Sequence, residues 1–496
     1  GRGRTVVDIL ATWLWVVTHP LQIHRARKRR NPFRRSREAD WLRLQRSGSN
    51  RMAVLLGERT SENRVVAATR AGRARLRDAT SAESSSRLAI VLAVVVPLLL
   101  AFGARNIWLG VLPSMREFTT LGDSVGSLFS EWWTGWRASG LGEPAVPPAS
   151  IGGLGALGTL LAFSAGAARR VLLLAPLVLG PVGMWRLLPR GTSLRARAAG
   201  IAAYGLSPIA LNALGEGRLQ ALLGYALLPW LLRRVSRHAA LEPLVPEGYR
   251  EGPALRRYAG TSLMVGIVAA VSPLAAVISV VAVVLVLLGP ALAGQARKAS
   301  LAMRGVLVGL LGAALVNLPW LLEALRGGDQ ASLTGLWEGR APVPSASDML
   351  TGSLGDLRMG LLGWGVVAAA AVPLVTGRKW RLGWAAGGWI AVVGGLAAAA
   401  LAGDSDFLAG AGAEALLVPV AFGLALAVSM APLAFEEDVV RSDFGIRQVL
   451  SFAAVGALLL GLLPQLVAST QGRWYLPEGD FDRALADVDS GDDFRT

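Results

Sequence analysis

Four carboxylates, Glu117, Asp123, Glu131 and Glu143, fall within the polar stretch 105–150 between two long apolar runs. A carboxylate within hydrogen-bond reach of a hydroxyl can take its proton as a general base. The chain has no cysteine and only three histidines, His19, His24 and His238, so Asp and Glu are left for that work. Asp123 is the first choice, because it follows Gly122 in the small-residue turn Thr119-Thr120-Leu121-Gly122-Asp123-Ser124. Glu117, between Arg116 and Phe118, is the second, and Glu131 is expected to pair with a nearby arginine. A solvated loop charge is the competing role for each.

Aromatic and basic residues surround these acids. Trp132, Trp133 and Trp136 lie at helical spacing. Flat amphipathic rings serve either as anchors at a membrane surface or as contacts for a sugar or isoprenoid. The turn Gly215-Glu216-Gly217-Arg218 offers a second polar group. Its glycines let a ligand come close, and an arginine fork suits a phosphate. The plain alternative is a local Glu216–Arg218 pair. Glu323 and Glu414 are further acidic candidates near the ends of apolar runs, and Asn317 with Pro319 suggests a helix kink.

Several chemistries are excluded. Without cysteine there are no disulfides and no thiolate nucleophile, and three scattered histidines build no usual zinc site. The chain carries no phosphate-cradling Gly-x-x-x-x-Gly-Lys motif, dinucleotide fingerprint, nucleophile elbow or metal-binding histidine pair. No cofactor or metal is therefore expected.

The elements that must position these residues are membrane helices. The 496 residues are 53% apolar and only 17% charged. Apolar runs of about 18 residues or more recur, as in a polytopic helical membrane protein. The net charge is +16, and 20 basic against 7 acidic residues precede residue 88. Beside a membrane span, such a block marks the cytoplasmic side and its anionic lipids rather than nucleic acid. Residues 1–87 read as a cytoplasmic basic and interfacial segment, 88–470 as the membrane domain, and 471–496 as the start of an extracytoplasmic segment. Trp474 and Tyr475 there suit the membrane interface.

The first span is 88–104, and the stretch 105–150 is the first outer loop. Residues 151–167 are read as dipping into or lying on the membrane. That choice alone puts the basic loops 186–197, 233–259, 295–298 and 378–381 inside, leaving Arg169-Arg170 outside. Further spans fall near 171–185, 199–213, 219–232, 260–273, 274–293, 304–325, 359–376, 382–402, 409–433 and 447–469. The expectation is an all-α plasma-membrane protein with about eleven crossings, a cytoplasmic N-terminus and an extracytoplasmic C-terminus.

This pattern resembles the GT-C membrane glycosyltransferases. The resemblance rests on a first span, a long acidic outer loop, and many spans with short basic inner turns. Trp185-Arg186-Leu187-Leu188-Pro189-Arg190 through Arg195-Ala196-Arg197-Ala198-Ala199, with Tyr204-Gly205-Leu206-Ser207-Pro208, is similar to an inner turn and next span of that class. Trp133-Thr134-Gly135-Trp136-Arg137-Ala138-Ser139-Gly140-Leu141-Gly142-Glu143-Pro144 looks like the outer loop of large actinobacterial membrane proteins. In those, a family-2-type glycosyltransferase domain precedes a GT-C-like membrane part, distantly similar to the membrane arabinofuranosyltransferases. The tract 24–37 would then be the tail of such a fused domain.

The resemblance implies a polyprenyl-phosphate sugar donor, entering from the bilayer, and a cell-envelope glycan acceptor. Asp123 or Glu117 would be the base. Arg218 would hold the phosphate, and Glu216, Trp132, Trp133 and Trp136 would be further substrate contacts. No Asp-Asp or Asp-Glu dipeptide of the family kind occurs in 105–150. Two alternatives stand beside this reading: a flippase for a lipid-linked glycan, and a non-catalytic membrane scaffold for fused soluble domains.

Overall fold

A computed structural model describes residues 90–477, apart from 111, 114, 119–123, 138–142, 145–148, 190–191, 246–252, 327–342, 404–411 and 440–445, together with Gln22. The chain divides into two compact units, residues 1–55 and 56–496, and everything below concerns the second.

The described residues form a multi-pass helical membrane protein. Six helices are long and apolar enough to cross a membrane, and three shorter apolar ones accompany them. In chain order, α1 is Ile90–Gly103. It is followed by α2 (Arg105–Leu109), α3 (Val125–Thr134), α4 (Ala149–Leu160), α5 (Ala165–Leu187), α6 (Leu194–Gly205), α7 (Pro208–Gly215) and α8 (Leu219–His238). Then come α9 (Ala254–Val271), α10 (Pro273–Pro290), α11 (Ala296–Val316), α12 (Leu318–Arg326) and α13 (Ala346–Thr351). The chain continues through α14 (Trp364–Thr376), α15 (Lys379–Leu401), α16 (Ala413–Leu416), α17 (Val418–Ala434), α18 (Ile446–Gly461) and α19 (Leu463–Ser469).

Several boundaries have local causes. Ser272 caps α10 through its side chain, and Pro273 takes the first helical position, where its missing N–H costs nothing. Helices α10 and α11 run on without a loop, but Gly294 at φ 97° turns the chain between them. Asn317 ends α11 and donates to the carbonyls of Gly266 and Ala313, so the kink expected there is a capped break.

Small residues draw the helices together. A side chain at Gly388 of α15 would overlap Gly423 of α17, and one at Gly289 of α10 would overlap Gly383 and Gly387. Between lipid-facing helices, such contacts replace the hydrophobic drive that water would supply. Deeper in, Tyr204 and Tyr225 stack at 4.2 Å, and each hydroxyl donates to the other's backbone carbonyl. Two polar groups are thus satisfied in an apolar core.

The bundle has two chemically different ends. Helix α8 begins at Arg218 and closes with Arg233, Arg234, Arg237 and His238. Arg169 and Arg170 lie in the first turns of α5 and Arg186 in its last. Glu414 lies at the start of the α16–α17 pair and Asp438 beyond its end. Arg381, at the start of α15, is bound by Asp438 through two hydrogen bonds and by Glu437. Arg218 and Glu414 therefore lie at one end, and Arg186, Arg233, Arg237 and the Arg381–Asp438 pair at the other.

Helices α3 and α4 make a small unit of their own. Ser124 and Ser127 form a capping box at the start of α3. Gly135, at φ 65°, ends it. Trp136 therefore leaves the helix and pairs in a two-residue strand, β1 (Trp136–Arg137) with β2 (Glu143–Pro144). Trp136, although at helical spacing from Trp132 and Trp133, does not share their helix, because this glycine adopts a left-handed turn. Trp132 lies against Gly152 of α4, while Trp133 is 83% exposed. Helix α4, about 18 Å long, is one of the three shorter apolar helices.

The stretch after α19 departs from expectation. Trp474 was expected at the membrane interface, yet it is 1% exposed. It fills the space left by Gly103, and its indole N–H donates to the Leu100 carbonyl. Arg105 donates to the carbonyls of Ser469 and Thr470, and the Asn106 backbone N–H to that of Gly472. Residues 469–476 thus strap onto α1 and α2. Trp474→Ala should leave a cavity costing about 3–5 kcal/mol. A drop in the melting temperature of the detergent-solubilised protein measures it.

Candidate active site

The segment after α2 is held by two arginines from α5. Arg169 donates to the carbonyls of Pro113 (2.9 Å) and Phe118 (2.8 Å), and Arg170 to that of Gly110 (3.1 Å). Their carrying charge to this end of the bundle, which looked like a cost in sequence, has this structural use. Met115 and Phe118 bridge across a turn in which Arg116 takes φ 46°. The backbone N–H of Glu117 donates to the Gly217 carbonyl. Gly217, at φ 68°, passes so close to Met115 that a side chain would crowd it.

This turn delivers the Glu117 carboxylate into the bundle. Oε2 accepts the backbone N–H of Gln220 (2.8 Å), and Oε1 accepts the Gln220 side-chain amide (2.7 Å). Arg218 Nη1 stands 3.7 Å from Oε1. On its other side, Arg218 Nε is 3.5 Å from Glu414 Oε2. Arg218 is therefore a buried cation between two buried carboxylates. Gly412, at φ 71°, lies against the guanidinium, where a Cβ would come within 3.2 Å of Cζ.

Burial pushes the Glu117 carboxyl up to about 7, with Glu414 adding to the rise; the Gln220 bonds and the Arg218 charge oppose it. A carboxylate oxygen has two lone-pair sites. Among the described residues, Oε2 receives only the Gln220 amide, so it keeps capacity for a further donor. A base held near neutral pH, with one lone pair open, is suited to taking a hydroxyl proton.

Glu216 does not pair with Arg218 in the local pair that the sequence suggested. Arg116 takes it instead at 2.6 Å. The turn between α7 and α8 points the two side chains apart, so that Glu216 meets the 115–118 turn and Arg218 the interior. A floor for the site comes from Asn212, whose side chain bonds Gly352 and Leu357 and accepts the Leu357 N–H. Gly355 passes beside Glu216.

Of the residues singled out in sequence, Glu117, Glu216, Arg218 and Glu414 come together. Asp123 lies outside the described residues. Trp132, Trp133 and Trp136 belong to the α3–α4 unit, whose small core of Leu128, Leu154 and Ala165 is separate from the main one holding Phe118. Glu143 lies in β2, and Glu131 on α3. Sequence reasoning missed Gln220, although it sits two residues after Arg218 on the same turn. It also missed Gly412, whose role shows only once Arg218 is placed. Among the described residues, no group of three His, Asp or Glu is arranged to hold a metal ion.

The fold is similar to that of the arabinofuranosyltransferase AftD from Mycobacteria, solved by single-particle cryo-EM. That alignment has a TM-score of 0.50 at 20% identity and covers 82% of this chain but 29% of that one. A structure of a mutant of the same protein aligns at a TM-score of 0.48 and 21% identity, over 82% of this chain and 30% of that one. The chain thus spans less than a third of the length of either. No protein-family model matches it. A comparison with curated proteins gives no match.

Proposed function

We propose that the protein is an integral-membrane glycosyltransferase module. It transfers a sugar from a polyprenyl-phosphate donor, which enters from the bilayer, to a glycan acceptor of the cell envelope. The observation that carries this reading is the buried Glu117–Arg218–Glu414 group at one end of the bundle. Glu117 is the base that takes the acceptor's hydroxyl proton. Arg218, its fork adjoining both acids, holds the leaving phosphate, and the half-buried Arg116–Glu216 pair lines the approach. Asp123 remains a second acid for the same loop. Trp132, Trp133 and Trp136 contact lipid or substrate at the rim.

Sidedness follows from charge. The end carrying Arg186, Arg233 and Arg237 is read as cytoplasmic and the Arg218 end as extracytoplasmic, in line with the bias of lysine and arginine toward the inner face. The bundle then crosses about eleven times: α1, α5, α6 with α7, α8, α9, α10, α11, α14, α15, α16 with α17, and α18 with α19. The N-terminus is cytoplasmic and the C-terminus extracytoplasmic.

The test is a membrane assay with radiolabelled polyprenyl-phosphate sugar. Label moving into glycan, with loss of donor, supports the reading. Label crossing vesicle bilayers on intact lipid, with no glycan product, contradicts it.

A further inference from the structure

The opposite end of α8 holds a cavity that the site above does not use. It has a volume of about 190 Å³ and is lined by Trp230, Arg233, Arg234, Arg237, His238 and Met264. Helical rise puts Arg233 and Arg237 about 22 and 28 Å from Arg218. The cavity and the Glu117 group therefore lie at opposite faces of the bundle.

Its basic residues do different work. Arg234 is structural: its Nε donates to Thr261 Oγ1 (3.1 Å), and its Nη2 to the carbonyls of Arg256 and Arg257. It pins the start of α9 to α8. Arg233 is turned toward the cavity. Its guanidinium carbon stands 5.7 Å from the Trp230 ring centre, and its Nε is buried with no hydrogen-bond partner. Arg186, from the end of α5, approaches the same ring at 5.9 Å. The indole N–H donates to the Leu179 carbonyl, which fixes the ring between the two cations. A buried guanidinium N–H without an acceptor is costly unless a ligand supplies one.

The flanks of the cavity are apolar and exposed. On one side, Val178 and Leu179 of α5 are each 47% exposed; on the other, Leu263 and Ile267 of α9 are 58% and 62% exposed. A basic cavity at the end of a membrane helix, with apolar faces falling away beneath it, has the shape of a phospholipid. A phosphate would fill the cavity, and acyl chains would lie along α5 and α9. Clusters of arginine between transmembrane helices suit anionic headgroups in this way.

We infer that the cavity between Trp230, Arg233 and Arg237 binds the phosphate of an anionic phospholipid. The arginines give bidentate, charge-assisted bonds to the phosphate oxygens. The apolar flanks select a lipid over free phosphate.

Native mass spectrometry of the delipidated full chain, titrated with phosphatidylglycerol, phosphatidylcholine or inorganic phosphate, tests this without any activity readout. The expected result is retention of phosphatidylglycerol over phosphatidylcholine. Arg233→Gln with Arg237→Gln should weaken that retention tenfold or more, while Arg233→Lys should keep part of it. Equal retention by the wild type and the double glutamine variant overturns the site. Equal retention of the two lipids overturns its preference for net negative charge. Inorganic phosphate competing at the same concentration as the lipid overturns the lipid assignment. Should the double variant not fold, Arg233→Gln alone decides, because Arg233 is only half-buried.

Discussion

Glu117→Gln should lower sugar transfer by about 10²–10⁴-fold, the usual contribution of a positioned general base. The substitution keeps the shape of the side chain. Gln220 can turn its amide to bond the new group, so the site stays assembled and the donor still binds. The loss should fall on kcat far more than on KM. In the wild type, kcat/KM should fall tenfold per pH unit below an apparent pKa of about 7, the value to which burial pushes the Glu117 carboxyl.

Stability should move the other way. A carboxyl whose folded pKa is raised keeps its proton in the fold between pH 4.5 and about 7, where the unfolded chain has lost it. Stability therefore declines as pH rises through that window, and above it the wild type carries the whole penalty, roughly 3 kcal/mol. Glu117→Gln should melt higher than the wild type at pH 8, and the gap should close toward pH 4.5. Equal melting of the two across this range would show that Glu117 is not held charged against its surroundings.

Arg218→Met should cost about 3–5 kcal/mol, as for breaking a buried ion pair on one side. The mechanism is specific. Arg218 is the cation between Glu117 and Glu414, and its removal leaves two buried carboxylates facing one another. The same change should abolish transfer, because no fork remains for the phosphate. Loss of a cation and loss of packing can be told apart. Adding Glu117→Gln and Glu414→Gln to Arg218→Met removes the stranded charges and should restore most of the melting temperature, a coupling that contacting residues show. Arg218→Lys should fall between, since it keeps the charge but not the planar fork. If the triple variant is no more stable than Arg218→Met, then Arg218 acts by packing and not by charge.

The helices were legible in sequence because apolar runs and their basic punctuation report directly on burial and charge. The break at Asn317 could be read from Pro319. What could not be read was direction in three dimensions. Trp136 matches the helical spacing of Trp132, but one glycine in a left-handed turn takes it off the helix. Trp474 looks like an interface residue until the missing side chain of Gly103 is seen to make room for it. Within the site, Glu117 and Arg218 were visible as types of residue. Their meeting depends on Arg169 and Arg170 holding the intervening loop, and on Glu414 arriving from almost two hundred residues away. Such long-range contacts leave no local pattern, so Gln220 and Gly412 carried no signal of their own.

The most direct measurement is a cryo-EM structure of the full chain with a non-transferable polyprenyl-phosphate sugar analogue and an acceptor glycan. The account predicts the phosphate against Arg218 and an acceptor hydroxyl about 2.6–3.2 Å from Glu117 Oε2, as a general base requires. A donor phosphate bound elsewhere, with Glu117 still closed over by Gln220 and no hydroxyl within reach, would contradict it.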